Sequence, residues 1–106
     1  MKKGDIVLIP FPFSDLTGKK LRPALIISTS SVDISVCFIT TQFHWKEKND
    51  FEVLPSKENG LKKSSIVRIG KFATIDKELV IGKLGTIEPA YIQLLNQGLM
   101  SVLQLS

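Results

Sequence analysis

The residue whose type and position most clearly suggest chemistry is Arg22, which follows a basic loop and directly precedes Pro23 and an apolar run. Proline holds the residue before it in an extended conformation. A guanidinium stays charged and offers a planar fork of donors that fits two phosphate oxygens. A strand covered on both faces should not begin with such a group unless it meets an anion there. We therefore predict that Arg22 binds a phosphate; a surface arginine that ends a strand is the alternative.

The other candidates for chemistry are also cationic. Lys19 and Lys20 precede Arg22, and a second basic group follows later in the chain: Lys57, Lys62, Lys63, Arg68 and Lys71. The net charge of +4 permits a polyanionic partner but does not require one, because single lysines are more often solvated surface. An arginine combined with hydroxyl and amide side chains could bind a phosphodiester and stabilise its pentavalent transition state. Since no general base at neutral pH is evident, RNA, whose own 2′-hydroxyl can attack, is a better candidate substrate than DNA.

Most familiar catalytic devices are missing from the sequence. It contains no glycine-rich phosphate loop, no G-x-S-x-G and no H-E-x-x-H. One histidine and one cysteine cannot form a Cys/His metal site, so we predict no metal and no cofactor. His44 is either a lone base or an exposed loop residue. Cys37 is most simply a small apolar filler of a strand, with partial exposure as the alternative.

Length and composition bound the domain count and the compartment. A chain of 106 residues is expected to form one domain, residues 1–106. Its single cysteine excludes an internal disulfide and fits a reducing compartment. Gly4 and Asp5 interrupt any apolar segment at the start, and no stretch approaches the ~18 apolar residues of a membrane span. We expect a soluble, cytoplasmic protein with no membrane partner.

Elements that must position these residues can be read from the apolar runs. The runs predict five to seven short strands, with candidates at Ile6–Phe13, Pro23–Ser28, Val32–Phe38 continuing to Gln42, Phe51–Leu54, Ile66–Ile75 and Leu79–Ile87. The third alternates apolar and polar residues, and Gly82 and Gly85 suggest twisting or a bulge in the last. Residues Ser14 to Lys20 form a predicted loop. These strands favour a mainly β protein, as a strongly bent sheet or a partly open barrel.

The tail changes to helical periodicity. One predicted stripe comprises Tyr91, Leu94, Leu95, Val102 and Leu105, with Leu99 and Leu103 widening it. Thr86 or Glu88 is expected to open this helix, with Pro89 in its first turn. Gly98 in the middle weakens the helix by about 1 kcal/mol.

Three blocks of the sequence resemble the MazF/PemK family of bacterial toxins. They are GDIVLIPF followed by LRPALIIS, then FITTQ, and then GLKKSSIVRIGKFATIDKELV. The resemblance implies an SH3-like small barrel (PemK/CcdB-like) with a C-terminal helix, normally a homodimer. It implies a metal-independent endoribonuclease toxin that cuts single-stranded mRNA at short sequences and leaves a 2′,3′-cyclic phosphate and a 5′-hydroxyl. The implied partners are a cognate acidic antitoxin and, only together with it, operator DNA.

The family's catalytic arginine and threonine fall on Arg22 and Thr40. If the strand is regular, Thr40 points to the same side as Val36 and Phe38, where it could line a pocket beside Arg22. A β-branched strand residue without a chemical role is the alternative for Thr40. The predicted RNA-binding residues are Lys19, Lys20, Thr41, Gln42 and Lys71. Some family members carry glutamine near the position of Lys71, so the recognised base sequence cannot be transferred.

Two further functional classes stay open. CcdB-type toxins use the same barrel to bind DNA gyrase without cleaving nucleic acid, and fold alone does not determine function. A nucleic-acid-binding corepressor that acts with an antitoxin is the other. Steep salt dependence of binding without strand scission would favour the corepressor.

Overall fold

A computed structural model of the chain describes residues 1–10 and 20–105. It contains one six-stranded sheet and one α-helix: β1 (Asp5–Pro10), β2 (Leu21–Thr29), β3 (Asp33–Thr40), β4 (Phe51–Val53), β5 (Ser65–Asp76), β6 (Gly82–Thr86) and α1 (Pro89–Val102). The strand order is β4-β5-β3-β2-β1-β6, and every paired neighbour is antiparallel. The fold is therefore a curled half-barrel with a C-terminal helix, as predicted. Most of the predicted loop, up to Lys19, lies outside the described residues.

Both faces of the central strands are apolar because each face packs against its own core. Ala24, Leu25 and Ile26 of β2 are consecutive and fully buried, which confirms a strand covered on both sides. The core on the helix side contains Leu25 together with Leu95 of α1. The core on the other face contains Ala24 and Ile26 and is completed by residues of β3 and of the far half of β5. The curl of the sheet thus encloses the second core without needing a second helix.

Cys37 differs from one of the two expectations stated for it. Its side chain is fully buried in the helix-side core, and its Sγ donates to the carbonyl oxygen of Ile69 at 3.8 Å. The predicted partial exposure is wrong, because strand β3 is covered on both faces from Val36 to Ile39. The polar face expected for β3 is confined to its first residues, Asp33 and Ser35, which are half-buried.

The burial of Cys37 leads to a prediction about its reactivity. Burial, and secondarily the negative charge of Asp50, raises the pKa of the Cys37 thiol to about 12. Since the thiolate is the reactive form, we expect almost no reaction with a disulfide reagent such as DTNB in the native protein at pH 8. Labelling should become fast only when denaturant unfolds the chain. Rapid labelling of the native protein at pH 8 would contradict the observed packing.

The last strand starts later than predicted. Residues Lys77–Leu79 form a 3-10 turn, in which the Asp76 side chain accepts a hydrogen bond from the Glu78 backbone N–H at 2.9 Å. This cap ends β5 and delays β6 until Gly82. The predicted bulge in this region is confirmed, because the register between β1 and β6 shifts where Leu84 lies between paired Lys83 and Gly85.

Helix α1 packs on the sheet with most of the predicted stripe: Leu95 is buried, and Tyr91, Leu99 and Val102 pack against the same core. The helix begins after Glu88 with Pro89 in its first turn, as expected. Leu94, Leu103 and Leu105 were also placed on the stripe, but all three are exposed. Gly98 faces the sheet, because a Cβ added there would lie 3.1 Å from the Ile69 side chain and 3.2 Å from the Asn49 carbonyl oxygen. The missing side chain allows close approach of helix and sheet.

Asn59 fixes the loop between β4 and β5 through side-chain hydrogen bonds. The buried Asn59 amide donates to the Leu54 carbonyl oxygen at 2.9 Å and to the Glu88 carboxylate at 3.1 Å. Its Oδ1 accepts from the backbone N–H groups of Ser56 and Leu61. The preceding backbone carbonyl, that of Glu58, accepts from the Thr86 backbone N–H of β6 at 2.7 Å. The loop is thereby fixed directly to the edge strand.

Buried Asp5 joins β1 to β6. Its Oδ1 accepts from the Thr86 hydroxyl at 3.1 Å and lies 3.3 Å from the Lys83 ammonium. Burial raises the pKa of Asp5, but hydrogen bonds from the Lys2 backbone, Thr86 and Lys83 outweigh burial and hold it below its usual value. Within residues 1–10 and 20–105, no helix has both the length and the apolar character needed to cross a bilayer.

Candidate active site

A cavity of about 670 Å³ opens beside Phe38, which belongs to the core on the face opposite the helix. It lies where β2, β3 and β5 meet the loop that follows β3. Its described lining residues are Arg22, Phe38, Ile39, Thr40, Thr41, Gln42, Trp45, Arg68, Gly70, Lys71 and Phe72. Five predicted site residues therefore come together here: the two predicted catalytic residues and three of the predicted RNA-binding residues.

Strand register explains why Arg22 and Thr40 meet. Ala24 of β2 pairs with Phe38 of β3 in an antiparallel ladder. Continuing this register by two residues on each strand brings Arg22 opposite Thr40. Arg22 is exposed and Thr40 is half-buried, and both line the same cavity. The parity predicted for Thr40 is consistent with Phe38, which also contributes to the lining.

The Thr40 hydroxyl is already oriented by the backbone. Its Oγ1 accepts a hydrogen bond from the Gln42 N–H at 3.0 Å. A hydroxyl that accepts through one lone pair still carries a proton that it can donate. Thr40 can therefore present a donor to an anionic oxygen in the cavity without having to break this local contact.

An irregularity in β5 builds the opposite wall of the cavity. Cys37 of β3 pairs with Phe72, whereas the next residue, Phe38, pairs with Arg68, so Ile69, Gly70 and Lys71 are looped out of the ladder. This bulge is what brings Lys71 to the cavity. The sequence prediction treated Ile66–Ile75 as a plain strand; Gly70 was the signal available for a bulge.

Arg68, which the sequence analysis placed in a basic group, is paired with two carboxylates. Its side chain is largely buried, with Nη2 2.7 Å from Glu47 Oε1 and Nε 3.7 Å from Asp50 Oδ2. The buried Asp50 carboxylate in turn accepts from the backbone N–H groups of Ile69 and Glu47, each at 2.9 Å. Arg68 thus ties β5 to the loop before β4. The sequence did not reveal this pairing, because Glu47 and Asp50 precede Arg68 by about twenty residues.

The remaining predicted residues divide by position. Lys20 is exposed just before β2 and does not line the cavity, and Lys19 lies outside the described residues. Lys57, Lys62 and Lys63 are exposed on the loops before β5. His44 is exposed and does not line the cavity, which favours the loop-residue interpretation; its ring lies 4.9 Å from that of Trp45.

The chemical character of the described lining is cationic and aromatic. It carries three basic side chains, Arg22, Arg68 and Lys71, and no carboxylate or imidazole. The hydroxyls of Thr40 and Thr41 and the Gln42 amide supply neutral hydrogen-bonding groups. Among the described residues, no group of three or more His, Cys, Asp or Glu side chains is arranged to hold a metal ion. Such a cavity can bind a phosphodiester and stabilise added negative charge on it.

Comparison with protein families gives one match over nearly the whole chain. Residues 2–103 match the family described as "PemK-like, MazF-like toxin of type II toxin-antitoxin system". The comparison with curated protein sequences gives no significant match.

Solved structures share the fold at low sequence identity. An endoribonuclease in complex with its cognate antitoxin, from a mycobacterial species, superposes with a TM-score of 0.79 at 19% identity, covering 100% of this chain and 97% of that chain. The Mycobacterium tuberculosis toxin MazF-mt6 gives 0.76 at 19% identity, covering 96% and 98%. MazF from Deinococcus radiodurans gives 0.72 at 22% identity, covering 98% and 96%. At these identities the likeness establishes the architecture.

Proposed function

The chain belongs to the PemK-like, MazF-like toxin family of type II toxin–antitoxin systems, and from that premise we propose that it is an endoribonuclease that cleaves single-stranded mRNA at a short sequence. The observation that carries this proposal is the cavity in which Arg22 and Thr40, from adjacent strands, are joined by Lys71 and Arg68. The structurally similar proteins, which include a mycobacterial endoribonuclease and the toxin MazF-mt6, support the same activity. The proposal treats residues 1–106 as one toxin domain.

The proposed reaction uses the nucleophile that RNA itself provides. The 2′-oxygen forms a bond to the neighbouring phosphorus while the bond from phosphorus to the 5′-oxygen breaks, which leaves a 2′,3′-cyclic phosphate and a 5′-hydroxyl. We propose that the 2′-hydroxyl proton leaves to solvent and that the departing 5′-oxygen takes one from solvent. Arg22 neutralises the charge that develops on the phosphorane, and Thr40 donates to a non-bridging oxygen. None of these steps requires a metal ion.

The proposed partners follow from the family. One similar structure is a complex of an endoribonuclease with its cognate antitoxin, and another is a MazE–MazF complex. We propose that an acidic antitoxin binds this chain, that operator DNA is bound only by the two together, and that the toxin acts in the cytoplasm as a homodimer. Leu84 on the edge strand β6, and Leu79 and Ile81 just before that strand, are exposed apolar side chains and support association with a second surface.

The decisive experiment is incubation of the purified protein with a long single-stranded RNA in the presence of EDTA. We expect discrete fragments whose 5′ ends carry hydroxyl groups and share one sequence motif when they are mapped. Substrate in which the 2′-hydroxyls are methylated should remain intact. If the RNA survives while the protein still arrests growth of cells that express it, the non-catalytic toxin class is favoured instead.

Two substitutions of Thr40 test the contribution of its hydroxyl separately from that of its side-chain shape. We expect Thr40→Val to lower kcat by about 10- to 100-fold, because it removes one hydrogen bond to a charged oxygen but keeps the β-branched volume. Thr40→Ser should retain most of the activity, because it keeps the hydroxyl that accepts from Gln42. Single-turnover cleavage of the mapped substrate measures both. Equal rates for Thr40→Val and the wild type would leave Thr40 as a structural strand residue.

A further inference from the structure

We propose that Trp45 is a stacking platform for one base of the bound RNA, next to the phosphate that Arg22 holds. Trp45 ends a 3-10 turn, Phe43–Trp45, at the rim of the cavity, and its side chain is 53% exposed. A large aromatic ring left open to solvent beside cationic groups is what binding of single-stranded nucleic acid requires, because bases stack on the ring while cations contact the backbone. This inference rests on the proposed function for the identity of the ligand.

The Trp45 ring is oriented by a contact with Arg68. The Arg68 guanidinium lies 5.7 Å from the centroid of the Trp45 ring, within the range of a cation–π contact. Arg68 is itself fixed, because Glu47 and Asp50 bind its guanidinium. A ring that is already oriented loses less conformational freedom when a base stacks on it. Arg68 therefore acts here as a positioning residue for Trp45.

The turn that carries Trp45 is also fixed by its backbone. The Trp45 N–H donates to the Gln42 carbonyl oxygen at 3.1 Å, and the Lys46 N–H donates to the Phe43 carbonyl oxygen at 3.1 Å. Gln42 also donates its own N–H to Thr40 Oγ1. This chain of contacts runs from the proposed catalytic threonine to the tryptophan. A base on Trp45 and a phosphate at Thr40 are therefore positioned by one continuous segment.

The chain offers a matched control and a built-in probe for this subsite. Phe43 lies in the same turn and is 40% exposed, but it does not line the cavity. Trp45 is the only tryptophan of the sequence, so intrinsic tryptophan fluorescence reports on this position alone. The probes are a pool of short single-stranded RNA oligonucleotides with every 2′-hydroxyl methylated, which cannot be cleaved, and a base-free ribose-phosphate strand of the same length and charge.

We expect the methylated pool, but not the base-free strand, to quench the fluorescence of the wild type and of Phe43→Ala. In fluorescence anisotropy, Trp45→Ala should bind the pool about 5- to 150-fold more weakly, the range measured for loss of one stacked base. Trp45→Phe should bind within a few-fold of the wild type. Binding of the base-free strand should be the same for all four proteins.

Two results would overturn the inference. One is wild-type affinity of Trp45→Ala for the pool; the other is an equal loss for the pool and the base-free strand, which would indicate lost structure or charge rather than lost stacking. Either result leaves cleavage by the wild type untouched, so the proposed function survives it. Conversely, base-dependent quenching without any cleavage would support the stacking site and contradict the endoribonuclease.

Discussion

Arg22→Ala is expected to lower RNA cleavage by about 10²- to 10³-fold, the effect typical of removing one preorganised group that stabilises transition-state charge. The reason is geometric: Arg22 continues the ladder opposite Thr40 and lines the cationic cavity with it. Arg22→Lys should recover only part of the activity, because an ammonium keeps the charge but not the planar fork. Single-turnover cleavage of the mapped substrate gives these values, and growth arrest on expression should be lost in parallel.

A matched control separates the site from total charge. Lys62 is exposed on the loop before β5 and lies outside the cavity, so Lys62→Ala removes one positive charge without touching the lining. It should cleave at nearly the wild-type rate. Because the Arg22 side chain is exposed, its substitution should change the free energy of unfolding by less than about 1 kcal/mol. A stable Arg22→Ala protein that cleaves normally would remove Arg22 from the mechanism.

Gly85→Ala is expected to destabilise the fold by about 3 kcal/mol, from overpacking together with a broken buried hydrogen bond. An added Cβ would lie 2.7 Å from the Asn59 carbonyl oxygen and closer still to the backbone of Glu58. Since these are backbone atoms, the loop must move, which breaks the hydrogen bond from Thr86 to Glu58 and strains the Asn59 network. Chemical denaturation measures the loss as a lower midpoint with a similar slope.

Gly82→Ala is the control for Gly85, because it lies on the same strand and a Cβ there meets nothing within 4 Å. Its free energy of unfolding should stay within about 1 kcal/mol of the wild type. If both variants unfold at the same denaturant concentration, the close approach between the loop and β6 is not a determinant of stability.

These glycines show how far the sequence could predict the fold. Apolar runs were sufficient for the strands and the half-barrel, because each run must be buried somewhere. Gly85 was recognised as irregular, but its partner could not be named, since Glu58 and Asn59 approach it only in three dimensions. The same limit explains Leu94: periodicity placed it on the stripe with Leu95, whereas the close approach at Gly98 shows which side of that stripe faces the sheet. Leu105 lies beyond the end of α1 at Val102, so helical periodicity does not apply to it.

The candidate site was predictable to the extent that it follows from strand register and family resemblance. Arg22, Thr40, Thr41, Gln42 and Lys71 were all expected, and they line one cavity. Arg68 was not assigned to the site, because it was grouped with the other basic residues of its segment. Trp45 was not assigned to it, because it lies in a charged loop. The carboxylates that fix Arg68 are distant in sequence, and no local pattern shows which of several acidic residues will be buried. Asp50 is distinguished only by its burial.

The pairing of β6 with β1 has a consequence for how the protein is made. The strand that completes the sheet ends at Thr86, whereas its partner begins at Asp5, so the contact spans most of the chain. On a ribosome, β1 is exposed before β6 has been synthesised, and the sheet stays incomplete until β6 has emerged. A nascent chain of this toxin is therefore an unfinished half-barrel until that strand pairs with β1.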